Sequence, residues 1–366
     1  MKSLRRLSAN VLLTVLSVAG TLAVAEITWS IISESGDKGR VFSDTLRFVN
    51  PPNAEWTIRK EEYTTSIRTN SLGFRGPEMP AEPKAEDELR ILFLGDSFVE
   101  AKQVQEQDRF VEQSAALLAD ALHKNVTTRA LAVGGSNPAL ALLYYRTIGR
   151  DFHPDIVVHV LFPENDLLPM EGPYTLEPAG NDLVLTDIWV EPPPPCAWKC
   201  KVLKHSTLAR HLYHGLRKQN TDSKTAAETL GDYYWYTRQG QYDVLGEGRM
   251  QVLRALIKTL RTDVETDGAT LLVALMPGAL EIQNNWREEY IAKQEFPKEY
   301  WEVHGLLRMT DSILRKDGFH ILNLRTVFEK SDPDTDPLYL KNDPHLSLKG
   351  HRITAESLAE TIRKLL

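Results

Sequence analysis

From residue 90 onward, short apolar runs alternate with segments of helical length, and this alternation constrains the fold more than any other feature. Strands are predicted over 90–95, 128–135, 155–162, 269–277 and 319–324. Helices are predicted over 104–124, 138–152, 247–265, 297–316 and about 349–365. Strands separated by helices imply a parallel sheet with right-handed crossovers. The sequence therefore predicts a doubly wound, flavodoxin-like α/β domain with a parallel sheet of about five strands.

The amino terminus, residues 1–32, is predicted to direct export. Three basic residues within the first six precede an apolar stretch from Val11 to Ile32. That stretch is long enough for an uncleaved membrane anchor, and the small residues 23–25 also fit a signal peptide cleaved near Ala25. We expect the anchor, because apolar residues continue past the candidate cleavage site. In both cases the chain from about residue 33 is placed outside the cytoplasm, anchored to the membrane or secreted into the periplasm.

Two further regions complete the predicted organisation. Residues 33–89 form a lead-in segment with short strands, and residues 90–366 form the α/β domain. An insertion over 167–245 separates the third strand from the fourth, and a loop of this length is usually functional. It contains Cys196 and Cys200, for which a disulfide is plausible outside the cytoplasm. Two thiols without a matching ligand pair make a weak zinc signature, so no metal site is predicted.

Composition and charge exclude one class of partner. The 366-residue chain is 42% hydrophobic, which supports a large core, and it carries a formal net charge of −7. A nucleic-acid-binding surface requires a basic face, and the chain provides no electrostatic case for one. We therefore expect no nucleic-acid partner.

Polar segments follow the predicted strands where ligands bind in open α/β sheets, beyond the carboxyl ends of the strands. Ser97 follows the first strand, the segment 133–138 follows the second and the segment 162–167 follows the third. A fourth segment, 342–351, precedes the last helix. A serine hydroxyl becomes a good nucleophile only when a base accepts its proton, and His345 in the fourth segment is the obvious base.

In this order, the motifs Gly-Asp-Ser at 95–97, Gly-Gly at 134–135, Asn-Asp at 165–166 and Asp-Pro-His at 343–345 resemble those of the SGNH family, also called GDSL-type esterases and acyltransferases. The resemblance covers about residues 90–366, interrupted by the insertion, and implies the SGNH-hydrolase fold. The stretch "NSLGFRG" at 70–76 is similar to a segment of exported, membrane-anchored members.

The resemblance also implies roles for individual residues. Ser97 would be the nucleophile, His345 the general base, and Asp343 the acid that orients the imidazole. The oxyanion would be bound by the backbone N–H groups of Ser97 and Gly135 and by the side-chain amide of Asn165. No metal and no organic cofactor is implied.

Three features depart from the family pattern or extend it. In the family pattern the acid usually stands at the position of Asn342. If Asn342 contacted the imidazole instead of Asp343, the triad would be weakened. Glu164 stands where glycine usually precedes the asparagine, and there it either faces solvent or narrows the site and contacts His345 or the substrate. The aromatic cluster "YYWY" at 233–236 supplies Trp235 and Tyr236, which together with Glu164 are predicted to form a substrate wall.

Two functions follow from these observations. The first is an exported serine esterase or O-acyltransferase that acts through an acyl-enzyme on a small-molecule or glycan ester of the cell envelope. Its partners would be that ester and, through the amino-terminal helix, the membrane. The alternative is a non-catalytic envelope protein that binds a glycan or a partner through the aromatic insertion. Replacing Ser97 by alanine distinguishes them, because only the first function depends on the hydroxyl.

Overall fold

The computed structural model describes residues 2–33, 39–80, 83–167, 174–180, 182–190, 206, 231–294 and 296–366. The chain divides into two compact units, one of residues 1–37 and 193–225 and the other of residues 38–192 and 226–366. In the first unit the described residues form a long helix, α1 (Lys2–Ser33). Cys196 and Cys200 lie outside the described residues.

Within the described ranges, no helix combines the length and the apolar character needed to cross a membrane.

The second unit is built on a five-stranded sheet whose strands all run parallel. Its strands are β5 (Glu88–Gly95), β6 (Asn125–Ala132), β7 (Ile156–Leu161), β10 (Thr270–Leu275) and β11 (His320–Asn323). Their spatial order is β11-β10-β7-β5-β6. Counted along the chain this is the order 2-1-3-4-5 of flavodoxin-like folds, which confirms the predicted sheet.

The central strands are buried on both faces, which is why their sequences are continuous apolar runs. In β7 every residue is buried, and Val158 pairs with Phe93 of β5 on one side and with Leu272 of β10 on the other. Alternate side chains of β5 point to opposite faces of the sheet. Leu92 therefore belongs to one hydrophobic cluster and Phe93 to a second cluster across the sheet.

Helices cover both faces of the sheet and short elements connect them. The longer helices are α3 (Phe110–Leu122), α4 (Pro138–Tyr144), α6 (Arg238–Gly246), α7 (Arg249–Thr266), α9 (Asn284–Ala292), α10 (Gly305–Lys316) and α12 (Leu348–Leu365). The short ones are α2 (Ser97–Glu100), α5 (Pro163–Asp166), α8 (Ala279–Ile282) and α11 (Arg325–Phe328). Two predicted helices begin later than expected: residues 106–108 form a 3₁₀ turn before α3, and Trp301 pairs with Thr237 before α10.

In the part of the chain that the structure describes, three antiparallel hairpins accompany the parallel sheet. In the lead-in segment, β1 (Val41–Ser43) pairs with β2 (Arg47–Val49), and β3 (Glu55–Arg59) pairs with β4 (Thr64–Arg68). In the predicted insertion, β8 (Tyr174–Ala179) pairs with β9 (Asp182–Ile188). The remainder of the insertion is described only at Ser206 and from residue 231 onward.

Candidate active site

Ser97 begins α2 directly after the central strand β5. Asp96 caps this helix, because its side chain accepts a hydrogen bond from the Phe98 N–H at 3.0 Å. The strand can turn into the helix this tightly because residue 95 is glycine: a Cβ there would lie 2.6 Å from Cγ2 of Val99. The result is a serine hydroxyl at the point where the strand order reverses, the usual ligand position in this sheet.

The structure brings Ser97, His345 and Asp343 together. Nε2 of His345 lies 2.8 Å from Oγ of Ser97, and Nδ1 of His345 forms a hydrogen bond with Oδ1 of Asp343. The backbone N–H of His345 donates to the same carboxylate oxygen at 3.2 Å. The ring centroids of Phe98 and His345 are 5.2 Å apart. A carboxylate, an imidazole and a hydroxyl that are hydrogen-bonded in this order are the three parts of a serine-hydrolase triad.

Asp343, and not Asn342, is the residue against the imidazole. Burial opposes ionisation of Asp343, but the hydrogen bonds and the positive charge of His345 outweigh it, so the pKa of this carboxyl lies below its ordinary value. The carboxylate is therefore charged at neutral pH and able to stabilise a protonated imidazole.

His351 also lies in the fourth polar segment, but its surroundings exclude it as the base. It is buried in α12, and its Nδ1 accepts a hydrogen bond from the Phe110 N–H at 3.3 Å. Burial lowers the pKa of its imidazole to about 3. An imidazole with so low a pKa is too weak a base to accept the serine proton near neutral pH.

The three predicted oxyanion donors, on Ser97, Gly135 and Asn165, belong to residues that line one cavity. Gly135 adopts a positive φ of 76°, which favours glycine, and it lines the same cavity as Ser97 and Asn165. The neighbouring Gly134 donates its N–H to the buried Glu100 carboxylate at 2.7 Å. Of the two glycines, Gly135 is therefore the one on the cavity wall.

The amide of Asn165 is held in place by the cap of α2. Its Nδ2 donates to Oδ2 of Asp96 at 2.9 Å, so Asp96 contacts both the Phe98 N–H and the Asn165 amide. Burial raises the pKa of Asp96, with the two hydrogen bonds opposing the shift. One carboxyl thus links the turn that carries Ser97 to the turn that carries Asn165.

The candidate site opens into a cavity of about 190 Å³. The aromatic part of its wall consists of Phe98, Phe162, Tyr233, Tyr236 and Trp286. Because an apolar cavity of about 150 Å³ accommodates a benzene ring, the space suits a short acyl group or part of a sugar.

Two of the three predicted wall residues line this cavity and one does not. Glu164 and Tyr236 are part of the wall. Trp235, in contrast, packs against the hydrophobic core, with the guanidinium of Arg249 4.7 Å from its ring centroid. Consecutive residues of the 3₁₀ turn 231–236 point in different directions, so Tyr233 lines the cavity in place of Trp235.

Glu164 is 3% exposed and does not face solvent. Burial and the neighbouring carboxylate of Glu281 raise the pKa of Glu164 well above its ordinary value. Glu281 is 2% exposed and accepts the Gly278 N–H at 3.0 Å. Burial beside Glu281 thus favours the protonated form of the Glu164 carboxyl, and no signal in the sequence connects the two residues.

Among the residues that the structure describes, no group of three or more His, Cys, Asp or Glu side chains is arranged to hold a metal ion.

The carboxyl-terminal part of the chain, residues 230–366, matches the family model "SGNH hydrolase-like domain, acetyltransferase AlgX". This range includes Asp343, His345, Tyr236 and Trp286, and it does not include Ser97. No curated protein matches the sequence.

Several solved structures are similar to the chain at low identity. A lipase from a goat rumen metagenome has 12% identity and a TM-score of 0.41, with 75% of this chain and 97% of that chain covered. An acetylxylan esterase from Geobacillus stearothermophilus has 11% identity and a TM-score of 0.40, with coverages of 75% and 94%. A lipase/acylhydrolase from Enterococcus faecalis has 12% identity and a TM-score of 0.41, with coverages of 76% and 97%.

The matched range covers less than half of the chain and contains the last of the four motifs, Asp-Pro-His at 343–345. Residues 230–366 are therefore similar to an SGNH hydrolase-like domain, and the four motifs resemble those of the SGNH/GDSL-type hydrolases.

Proposed function

We propose that the protein is a serine esterase or O-acyltransferase that forms an acyl-enzyme on Ser97. The observation that carries this proposal is the hydrogen-bonded series Ser97 Oγ, His345 Nε2, His345 Nδ1 and Asp343 Oδ1 at the carboxyl end of the central strand. Each atom in this series has the partner that its role requires.

The first half-reaction acylates the enzyme. Oγ of Ser97 attacks the acyl carbon, and its proton moves to Nε2 of His345 as the new C–O bond forms. The negative charge on the former carbonyl oxygen is stabilised by the N–H groups of Ser97 and Gly135 and by the amide of Asn165. The intermediate collapses, the bond to the leaving alkoxide breaks, and the alkoxide takes the proton from His345.

The second half-reaction returns the enzyme to its starting state. A hydroxyl from water or from a sugar gives its proton to His345 and attacks the acyl carbon, and the departing Ser97 oxygen recovers that proton. Water gives a hydrolase and a sugar hydroxyl gives a transferase.

Our proposed substrate is an acylated glycan of the cell envelope. Aromatic faces such as those of Tyr233 and Trp286 suit the flat apolar face of a sugar, with the buried carboxyl of Glu164 as a hydrogen-bonding partner. The family model describes an acetyltransferase, which is consistent with an acetyl group as the acyl group. We also propose that the enzyme is exported and anchored by its amino-terminal helix, on the basic residues and the apolar stretch that follows them.

Covalent labelling tests the proposed nucleophile. The full-length chain is treated with a serine-reactive fluorophosphonate and the modified peptide is identified by mass spectrometry. We expect one label on Ser97, loss of it in Ser97→Ala, and retention in the matched variant Ser357→Ala, whose hydroxyl donates to the Ile353 carbonyl of its own helix. If Ser97→Ala is folded and turns over esters as fast as the wild-type chain, the proposal is wrong and the glycan-binding alternative gains support.

A further inference from the structure

The catalytic acid lies in a short exposed turn. Tyr339 and Leu346 form an isolated antiparallel bridge, and the Leu340 N–H donates to the His345 carbonyl at 3.0 Å. Asp343 and His345 are therefore at the tip of a turn with few hydrogen bonds of its own. A displacement of about 1 Å at such a site can cost a hundredfold in rate, so the turn needs support from elsewhere.

That support comes from the lead-in segment. Strands β3 and β4 are joined by a turn closed by the Lys60 N–H, which donates to the Tyr63 carbonyl at 2.8 Å. This turn places Glu62 and Tyr63 against the catalytic turn, about 280 residues further along the chain.

Glu62 holds the backbone that leads into Asp343. Its Oε1 accepts the N–H of Lys341 at 2.6 Å, and its Oε2 accepts the N–H of Asn342 at 2.6 Å. Hydrogen bonds to an ionised acceptor are shorter and stronger than neutral ones. The two bonds fix consecutive peptide groups immediately before the catalytic acid.

Tyr63 holds the side chain of the acid itself. Its hydroxyl donates to Oδ2 of Asp343 at 3.2 Å, while Oδ1 faces the imidazole of His345. Both oxygens of the carboxylate are thus engaged, and rotation of the carboxylate away from the imidazole would break the Tyr63 bond. The same bond contributes to the low pKa of Asp343.

We propose that Glu62 and Tyr63 are positioning residues that hold Asp343 in line with His345, so that the lead-in hairpin is a working part of the active site. This inference rests on the proposed acyl-enzyme function. Neither residue lines the substrate cavity. Their loss is therefore expected to lower kcat and leave KM within about twofold, since only the catalytic geometry changes.

A double-mutant cycle in the full-length chain tests this. A hydrogen bond to a charged group is worth at least about 1.5 kcal/mol, so we expect Tyr63→Phe to lower kcat for p-nitrophenyl acetate about tenfold. Glu62→Gln, which keeps one acceptor, is expected to lower it less. In an Asp343→Ala background Tyr63→Phe should cause no further loss, because its partner is gone. The controls are Tyr242→Phe, at a side chain that is 71% exposed, and Glu177→Gln, at an exposed residue of β8.

The outcomes are separable. Unchanged kcat in Tyr63→Phe, or an equal loss with and without Asp343, overturns the positioning role. A parallel fall in melting temperature that accounts for the lost activity overturns it too. If the wild-type chain forms no acyl-enzyme at all, the proposed function fails and this inference fails with it.

Discussion

Oγ of Ser97 and Nε2 of His345 lie 2.8 Å apart although 248 positions separate the two residues in the chain. Ser97 is placed by the end of β5, and His345 by the turn that precedes α12. The position of Ser97 is set by a buried strand, whereas His345 lies in a turn that is held by Glu62 and Tyr63 of the lead-in hairpin. The reactivity of the serine therefore depends on how well the turn carrying His345 is held.

Asp343→Asn is expected to reduce kcat by about three to four orders of magnitude, because an amide cannot hold the imidazole in the required tautomer or stabilise its charged form. Steady-state hydrolysis of p-nitrophenyl acetate measures this effect. Asp187→Asn, at an exposed residue of β9, is the matched control and should retain full activity. A loss of less than tenfold in Asp343→Asn would show that Asp343 does not serve the histidine.

Asn165→Ala removes one oxyanion donor and is expected to lower kcat by about a hundredfold to a thousandfold. It also removes the donor to the buried Oδ2 of Asp96, which should lower the free energy of unfolding by about 1–3 kcal/mol. Kinetics and urea denaturation of the same variant measure the two effects separately. A variant that loses stability and keeps kcat within threefold would limit Asn165 to a structural role.

Glu164→Gln is expected to stabilise the protein more at pH 8 than at pH 5. The pKa of Glu164 is raised in the folded state by burial and by Glu281, so the folded chain holds more protons than the unfolded chain above the ordinary value of 4.5. The free energy of unfolding of the wild-type chain therefore falls as the pH rises through this range. A neutral glutamine removes that dependence.

Melting temperatures across the pH range test this prediction, with Glu177→Gln as an exposed control. The same pH dependence in Glu164→Gln and in the wild-type chain would contradict a protonated Glu164 in the wall.

The sheet was predictable because strands buried on both faces leave continuous apolar runs, as in β5 and β7. The three polar segments after β5, β6 and β7 were predictable because parallel strands bring their carboxyl ends to one edge, and the resemblance to SGNH motifs implied Ser97, Gly135 and Asn165 within them. The residues at which helices begin were less predictable. Before α10, Trp301 pairs with Thr237, and this is a tertiary contact that local sequence cannot reveal.

The rest of the candidate site depends on contacts between distant segments. Trp286 lines the cavity from α9, far from any motif, and apolar or aromatic residues on a helix usually serve the core. The hydrogen bond from the Tyr63 hydroxyl to Asp343 joins residues 280 positions apart, and no local sequence pattern indicates it. Trp235 was assigned to the wall because it lies in an aromatic cluster, but the direction of each ring is decided by the 3₁₀ turn and by Arg249.

The central claim is that Ser97 carries the acyl group, and the most direct measurement is the site of acetylation. The full-length chain is incubated briefly with p-nitrophenyl acetate, quenched in acid and mapped by peptide mass spectrometry. We predict one acetyl group on Ser97 in the wild-type chain and none at this peptide in Ser97→Ala. A folded wild-type chain with no acetyl group on Ser97, under conditions that acetylate a known serine esterase and with no fluorophosphonate label either, would contradict the account.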